Sequence, residues 1–187
     1  HNTILLWEKT VEYKYIFVHI NHEDFVSPLD GKHERAGDTI HASHNRFLLI
    51  EFKHDQGYQH EEKRKYTDYN RAIKELRHDD VAHVVVYGFE NEGSLQLKAR
   101  RYFSEQIIDI EDLVSNGIAL KEFTEYVQKL VSFKRKDGTT SGGFDSVAVI
   151  NHSENGSSCI GFEEFAIHFD IDLGMEPPSI SMGGMSI

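Results

Sequence analysis

Apolar positions recur along the chain with two periods, and together they mark out a short series of elements. Residues 3–20, TILLWEKTVEYKYIFVHI, put Trp7, Val11, Tyr15 and Val18 at helical spacing, yet VEYKYIFVHI is β-rich in composition, so helix and strand both stay open. Pro28 and Asp30-Gly31 mark a loop and turn within 21–34. Two apolar segments, 35–42 and 46–54, flank Ser43-His44-Asn45 and predict a β-hairpin. Residues 58–77 predict one amphipathic helix with Tyr66, Tyr69, Ile73 and Leu76 inward. The nearly continuous apolar run 81–89, VAHVVVYGF, suits a strand buried on both faces. A further strand is expected over 94–103, and a second helix over 120–134 with Phe123, Val127, Leu130 and Val131 inward. DGTTSGG (137–143) has the composition of a linker or hairpin loop, strand-like DSVAVI and FAIHF follow, and the tail MEPPSISMGGMSI is of the kind ordered by docking. The order implies an α/β or α+β fold with a mixed sheet.

At 187 residues and 39% hydrophobic content the chain can bury a substantial core. No run approaches the ~20 apolar residues of a membrane helix, and the expectation is a cytoplasmic protein. One cysteine, Cys159, excludes an internal disulfide and a multi-cysteine zinc site. The net charge of −11 is uneven: residues 1–104 carry 17 acidic and 15 basic side chains, residues 105–187 carry 14 and 5. That balance argues against coating nucleic acid by charge alone. It suggests a core in 1–104 and an acidic C-terminal extension in 105–187, packed on the core or presented to a protein partner or a second copy.

The chemistry concentrates in the predicted hairpin. Glu51 and Lys53 share one face of a strand that is otherwise apolar on both faces, and an ion pair so placed is costly to desolvate without compensation. The midpoint between Asp38 and Glu51 falls at His44-Asn45, so a symmetric hairpin would set Asp38 opposite Glu51, with Cβ atoms about 4.5–5.5 Å apart. Two carboxylates that close repel unless a cation sits between them, and Mg²⁺, with its demand for oxygen ligands, suits the position. Mn²⁺ is the alternative ion. Lys53 would then stabilise developing phosphoryl charge or orient the attacking water. Glu34 falls on the same face if the strand reaches that far; otherwise it is a turn residue beside Gly31.

Asp38, twelve residues, then Glu51-Phe52-Lys53 resembles the PD-(D/E)xK motif of restriction-endonuclease-like nucleases. The likeness covers roughly residues 5–90 and includes the element order hairpin, helix, strand; Gly37 stands where the motif has proline. The resemblance implies a restriction-endonuclease-like core, with a mixed central sheet flanked by helices. It also implies metal-dependent hydrolysis of DNA, with RNA as an alternative, in restriction, defence, repair or a mobile element. Asp38 and Glu51 would hold the metal, with the Phe52 carbonyl as a further ligand and an acidic residue from the first helix, Glu8 or Glu12.

On helix 58–77, Lys63, Asn70, Lys74 and Arg77 form a stripe, with Arg71 nearby, that could meet a nucleic-acid backbone. Some branches of the family use a Gln on this helix near the metal, and Gln59 is the matching side chain. KARR (98–101) is a second candidate phosphate contact. Eight of the twelve histidines lie in residues 1–60, including His19-x-x-His22 and His41-x-x-His44, but no second ligand pair matches them, which disfavours a zinc site. A nuclease-like subunit without catalysis, binding DNA or a protein partner, is the alternative function.

Overall fold

The computed structural model describes residues 8–19, 44–134, 147–154 and 156–173. Helix α1 spans Glu8–His19, resolving the ambiguity at the start of the chain in favour of helix. Strand β1 is Arg46–Lys53, followed by a 3-10 turn and the short helix α2, Gln59–Arg64. Helix α3, Tyr69–Leu76, leads to β2, His83–Asn91, and β3, Ser94–Arg101. The two-residue β4, Ile107–Ile108, and a 3-10 segment precede α4, Leu120–Phe133. Strands β5, Val147–Ser153, and β6, Gly156–Gly161, run into α5, Phe162–His168. Among the described residues no helix is long and apolar enough to cross a membrane.

The six strands form one mixed sheet in the order β4-β3-β2-β1-β5-β6. Its centre is β1, buried from Phe47 to Lys53, parallel to β2 and antiparallel to β5. This corrects the expected hairpin. Glu51 is flanked by Val85 on β2 and Val147 on β5, so neither edge of β1 is free there for a strand carrying Asp38. Residues 35–42 lie outside the described residues. Strand β5, drawn from the acidic C-terminal stretch, pairs with β1 over Arg46–Glu51. Position 104 is therefore not a boundary between units, because part of the expected extension completes the central sheet.

Two further expectations change. The single helix over 58–77 breaks between Arg64 and Tyr69. There Tyr66 forms an isolated β-bridge with Lys134, the Thr67 N–H donates to the Phe133 carbonyl at 3.0 Å, and the Asp68 carboxylate caps the new helix by accepting from the Arg71 N–H at 3.0 Å. FAIHF is helical because Phe162, Phe165 and Ala166 bury one face at helical spacing.

Strand alternation sends Phe47, Leu49, Glu51 and Lys53 to one face of β1 and Leu48, Ile50 and Phe52 to the other. On the first face Phe47 meets Phe123 of α4 and Phe165 of α5, with ring centroids 5.8 and 6.3 Å away. On the second, Tyr15 of α1 packs 5.8 Å from Phe52. Helix α1 also closes over Gly88 of β2, where a Cβ would stand 2.8 Å from Leu95 Cδ1, 2.9 Å from Val11 Cγ2 and 3.2 Å from the His54 carbonyl. Gly88→Val is expected to lower unfolding stability by about 1–3 kcal/mol through overpacking. Urea titration checks this, and an unchanged midpoint would mean that α1 does not dock against β2 in this way.

Candidate functional site

Glu51 has no exposed surface, and neither has His83, the first residue of β2. Parallel pairing sets His83 level with Leu49, on the Glu51 face, and brings its Nε2 to 3.2 Å from Glu51 Oε1. The other ring nitrogen, Nδ1, is 2.7 Å from the Tyr126 hydroxyl of α4. With Glu51 ionised, Nε2–H donates to the carboxylate and Nδ1 accepts from Tyr126, which fixes one tautomer of a neutral ring. The imidazole stacks on Tyr102, centroids 4.1 Å apart at 7°. Tyr102 is itself held by its N–H to the His83 carbonyl (2.9 Å). Asp80 secures the next residues, accepting from the N–H groups of Phe103 (2.9 Å) and Ser104 (2.7 Å) and from the Ser104 hydroxyl (3.2 Å).

A second buried carboxylate, Glu62 of α2, completes the cluster. Lys53 Nζ is 2.5 Å from Glu62 Oε1 and 3.8 Å from Glu51 Oε2. Lys134, extended at the end of α4, brings its Nζ to 3.8 Å from Glu51 Oε1 and 3.7 Å from Glu62 Oε2. It also lies 4.3 Å from the Tyr66 ring centroid. Lys65 pairs with Glu62 Oε1 at 2.7 Å from a side chain 31% exposed, against 0% for Glu51 and 2% for Glu62. The Tyr66 hydroxyl donates to Tyr102 at 2.8 Å, and Tyr102 donates to Glu62 Oε2 at 2.5 Å.

Burial alone would raise the Glu51 pKa, but Lys134, the His83 hydrogen bond and Lys53 outweigh it and hold the carboxyl well below its ordinary range. Burial lowers the His83 pKa against the pull of Glu51, and lowers that of Lys134 against Glu51 and Glu62. It also raises Tyr66, Tyr102 and Tyr126, keeping their hydroxyls as donors. Among the described residues Glu51 Oε2 is buried without a hydrogen bond. Carboxylate oxygens are the donor type that a hard divalent cation takes, while among the described residues no three His, Cys, Asp or Glu side chains group to hold a metal.

Of the residues expected at the site, Glu51 and Lys53 meet, while Asp38 and Glu34 lie outside the described residues. Helix α1, carrying Glu8 and Glu12, packs on the Phe52 face of β1, the reverse of the Glu51 face, so it does not bring Glu12 into the cluster. The Phe52 side chain is in the core, one residue beyond the last β1–β5 pair. Gln59 donates to Glu105 rather than to either buried carboxylate. The proposed stripe is divided by the break after α2: Lys63 sits on α2, over the Tyr69 ring at 5.8 Å, whereas Asn70, Arg71 and Lys74 sit on α3 and Arg77 caps it. Arg71 is engaged by Glu75 at 3.0 Å. Cys159 is buried on β6, away from these groups.

Glu62, His83 and Lys134 were not anticipated, although each left a signal. Glu62 stands four residues before Tyr66, on the inward helical phase. Lys134 continues Val127, Leu130 and Val131, and His83 interrupts a buried apolar strand. No family model, curated protein or solved structure matches the chain.

The shifts set the acid response. The folded pKa of His83 lies below the ordinary 6.5, so the unfolded chain binds a proton first as pH falls through about that value, and stability is lost. Glu51, depressed below the ordinary 4.5, adds a second loss at lower pH. The urea midpoint is expected to fall between pH about 7.5 and 5.5, and to fall less in His83→Gln; equal pH slopes for the two proteins would contradict the buried neutral imidazole.

Proposed function

We propose that this chain is a divalent-cation-dependent nuclease that hydrolyses phosphodiester bonds in DNA, with RNA as the alternative substrate, on a restriction-endonuclease-like core. The observation that carries the reading is the buried Glu51 carboxylate. Among the described residues one of its oxygens has no hydrogen-bond partner, and it faces the Lys53 ammonium beside a second buried carboxylate, Glu62. On this reading Glu51 and Glu62, with Asp38 as the motif resemblance implies, hold Mg²⁺ or Mn²⁺. Such an ion supplies Lewis-acid stabilisation of phosphoryl oxygen and a more acidic bound water. Lys53 contributes a fixed positive charge where negative charge develops on the phosphate, and low surrounding polarity strengthens its effect. His83, tied to Tyr126, orients Glu51, and Lys134 holds the two carboxylates in register. The cytoplasm is the compartment that goes with this role.

A second reading has its own support. Lys53 is already committed to Glu62 at 2.5 Å, and lysines offset both carboxylates internally. That is also what a nuclease-like subunit devoted to DNA binding or assembly would retain, with the acidic residues of 105–187 facing a protein partner or a second copy.

The assay that separates them incubates the chain with plasmid and single-stranded DNA in Mg²⁺, Mn²⁺ or EDTA. Cleavage is expected with metal and absent in EDTA. Lys53→Ala and Glu51→Gln should each be slowed by about 10²–10³-fold while circular dichroism stays native. Cleavage that persists in EDTA, or that runs at the wild-type rate in folded Lys53→Ala, would sink the nucleolytic reading, and failure on DNA and RNA alike would favour the subunit.

A further inference from the structure

We infer that Lys98 and Arg100 of β3 form a phosphate-binding track that leads a nucleic-acid strand toward Glu51 and Lys53; the inference rests on the nucleolytic reading. Its basis is register. Lys53 pairs with Tyr87 and Tyr87 with Lys98, while Glu51 pairs with Val85 and Val85 with Arg100. Paired residues share a sheet face, so the two site residues and the two cations stand at the corners of one quadrilateral. Its sides are about 10 Å across three strands and about 7 Å along each strand.

Both cations are held by aromatic rings rather than by carboxylates. Lys98 Nζ sits 4.5 Å over Phe89. The Arg100 guanidinium is 4.9 Å from the Tyr58 ring and 5.4 Å from the Tyr87 ring, donates from Nε to the Tyr58 hydroxyl at 2.7 Å and reaches the Gln56 carbonyl at 3.4 Å. Among the described residues neither forms an ion pair. Ring contacts position a cation without neutralising it. In a chain of net charge −11, two such cations on one face beside the candidate site are complementary to a polyanion. Strand β4 pairs with β3 at Ala99 and Arg100, and among the described residues Gln96 and Lys98 are exposed. The remaining guanidinium N–H groups of Arg100 suit a phosphate, and Lys98 adds a mobile point charge. The competing role for Lys98 is that of an edge charge that discourages strand addition.

Fluorescence anisotropy of the full chain with a labelled oligonucleotide of about twenty nucleotides, single-stranded or duplex, DNA or RNA, tests the track. Binding is read in EDTA across a salt series. Lys98→Ala and Arg100→Gln are each expected to weaken binding about tenfold and to reduce the log–log salt slope by about 0.7–0.9, with Lys98→Arg restoring both. Lys121→Ala on α4, whose side chain is 87% exposed and outside the proposed track, is expected to bind like the wild type. Unchanged affinity and slope in folded Lys98→Ala and Arg100→Gln, equal loss at Lys121→Ala, or no oligonucleotide binding by the wild type would each overturn the track. Self-association of Lys98→Ala with unaltered binding would assign the residue to edge protection. Because binding is read without metal, a wild type that binds through β3 but never cleaves removes the nucleolytic reading alone. Cleavage with variant-insensitive binding removes the track alone.

Discussion

Taking an ionised carboxylate out of water costs several kcal/mol even after relaxation, and Glu51 lies where no solvent reaches it. The surroundings of β1 answer that cost. Lys53 rises from the same strand, His83 from the parallel neighbour, Lys134 from the end of α4, and Glu62 enters to balance the added positive charge. Removing one partner would leave a buried charge uncompensated, so the cluster constrains four elements at once. The polar groups stand on the same face of β1 as Phe47, which packs against Phe123 and Phe165.

The sheet order makes this convergence available. The parallel pairing of β1 and β2 is offset, with Leu49 level with His83, so the second half of β1 lies beside the first half of β2, and the crossover between them carries α2 and α3. Ligand sites in α/β sheets commonly lie at the carboxyl ends of parallel strands, which is where Glu51 and Lys53 stand. The break after α2 matters for the same reason. A continuous helix over 58–77 would have no backbone to spare for Lys134, whereas the interruption frees Tyr66 and Thr67 to bond the end of α4. The second lysine thus arrives through a backbone bridge.

Local pattern carried β1, β2, β3 and α4, because each shows its period over a long enough run. Glu51 and Lys53 were legible as a charged pair ending an apolar strand. The partner strand of β1 was not, since the choice between a sequence neighbour and β5, about a hundred residues downstream, depends on tertiary pairing that no local period encodes. FAIHF misled for a related reason: five residues fit either period, and the packing of Phe162 and Phe165 decided the matter. Glu62, Lys134 and His83 teach something narrower. Each is a charged or titratable residue in the buried phase of its own element, where apolar neighbours set the expectation. Read by phase rather than by polarity, they would have been found together.

Asp80 extends these dependencies beyond the charged groups. Its carboxylate fastens the turn after β3; that turn fixes Tyr102; Tyr102 lies flat on His83; and His83 orients Glu51. Residues separated by more than thirty positions in the chain are thus one mechanical part. A substitution at any one of Glu51, Lys53, Glu62, Asp80, His83 and Lys134 is therefore felt by the others, and their effects on stability should not add as those of independent sites do.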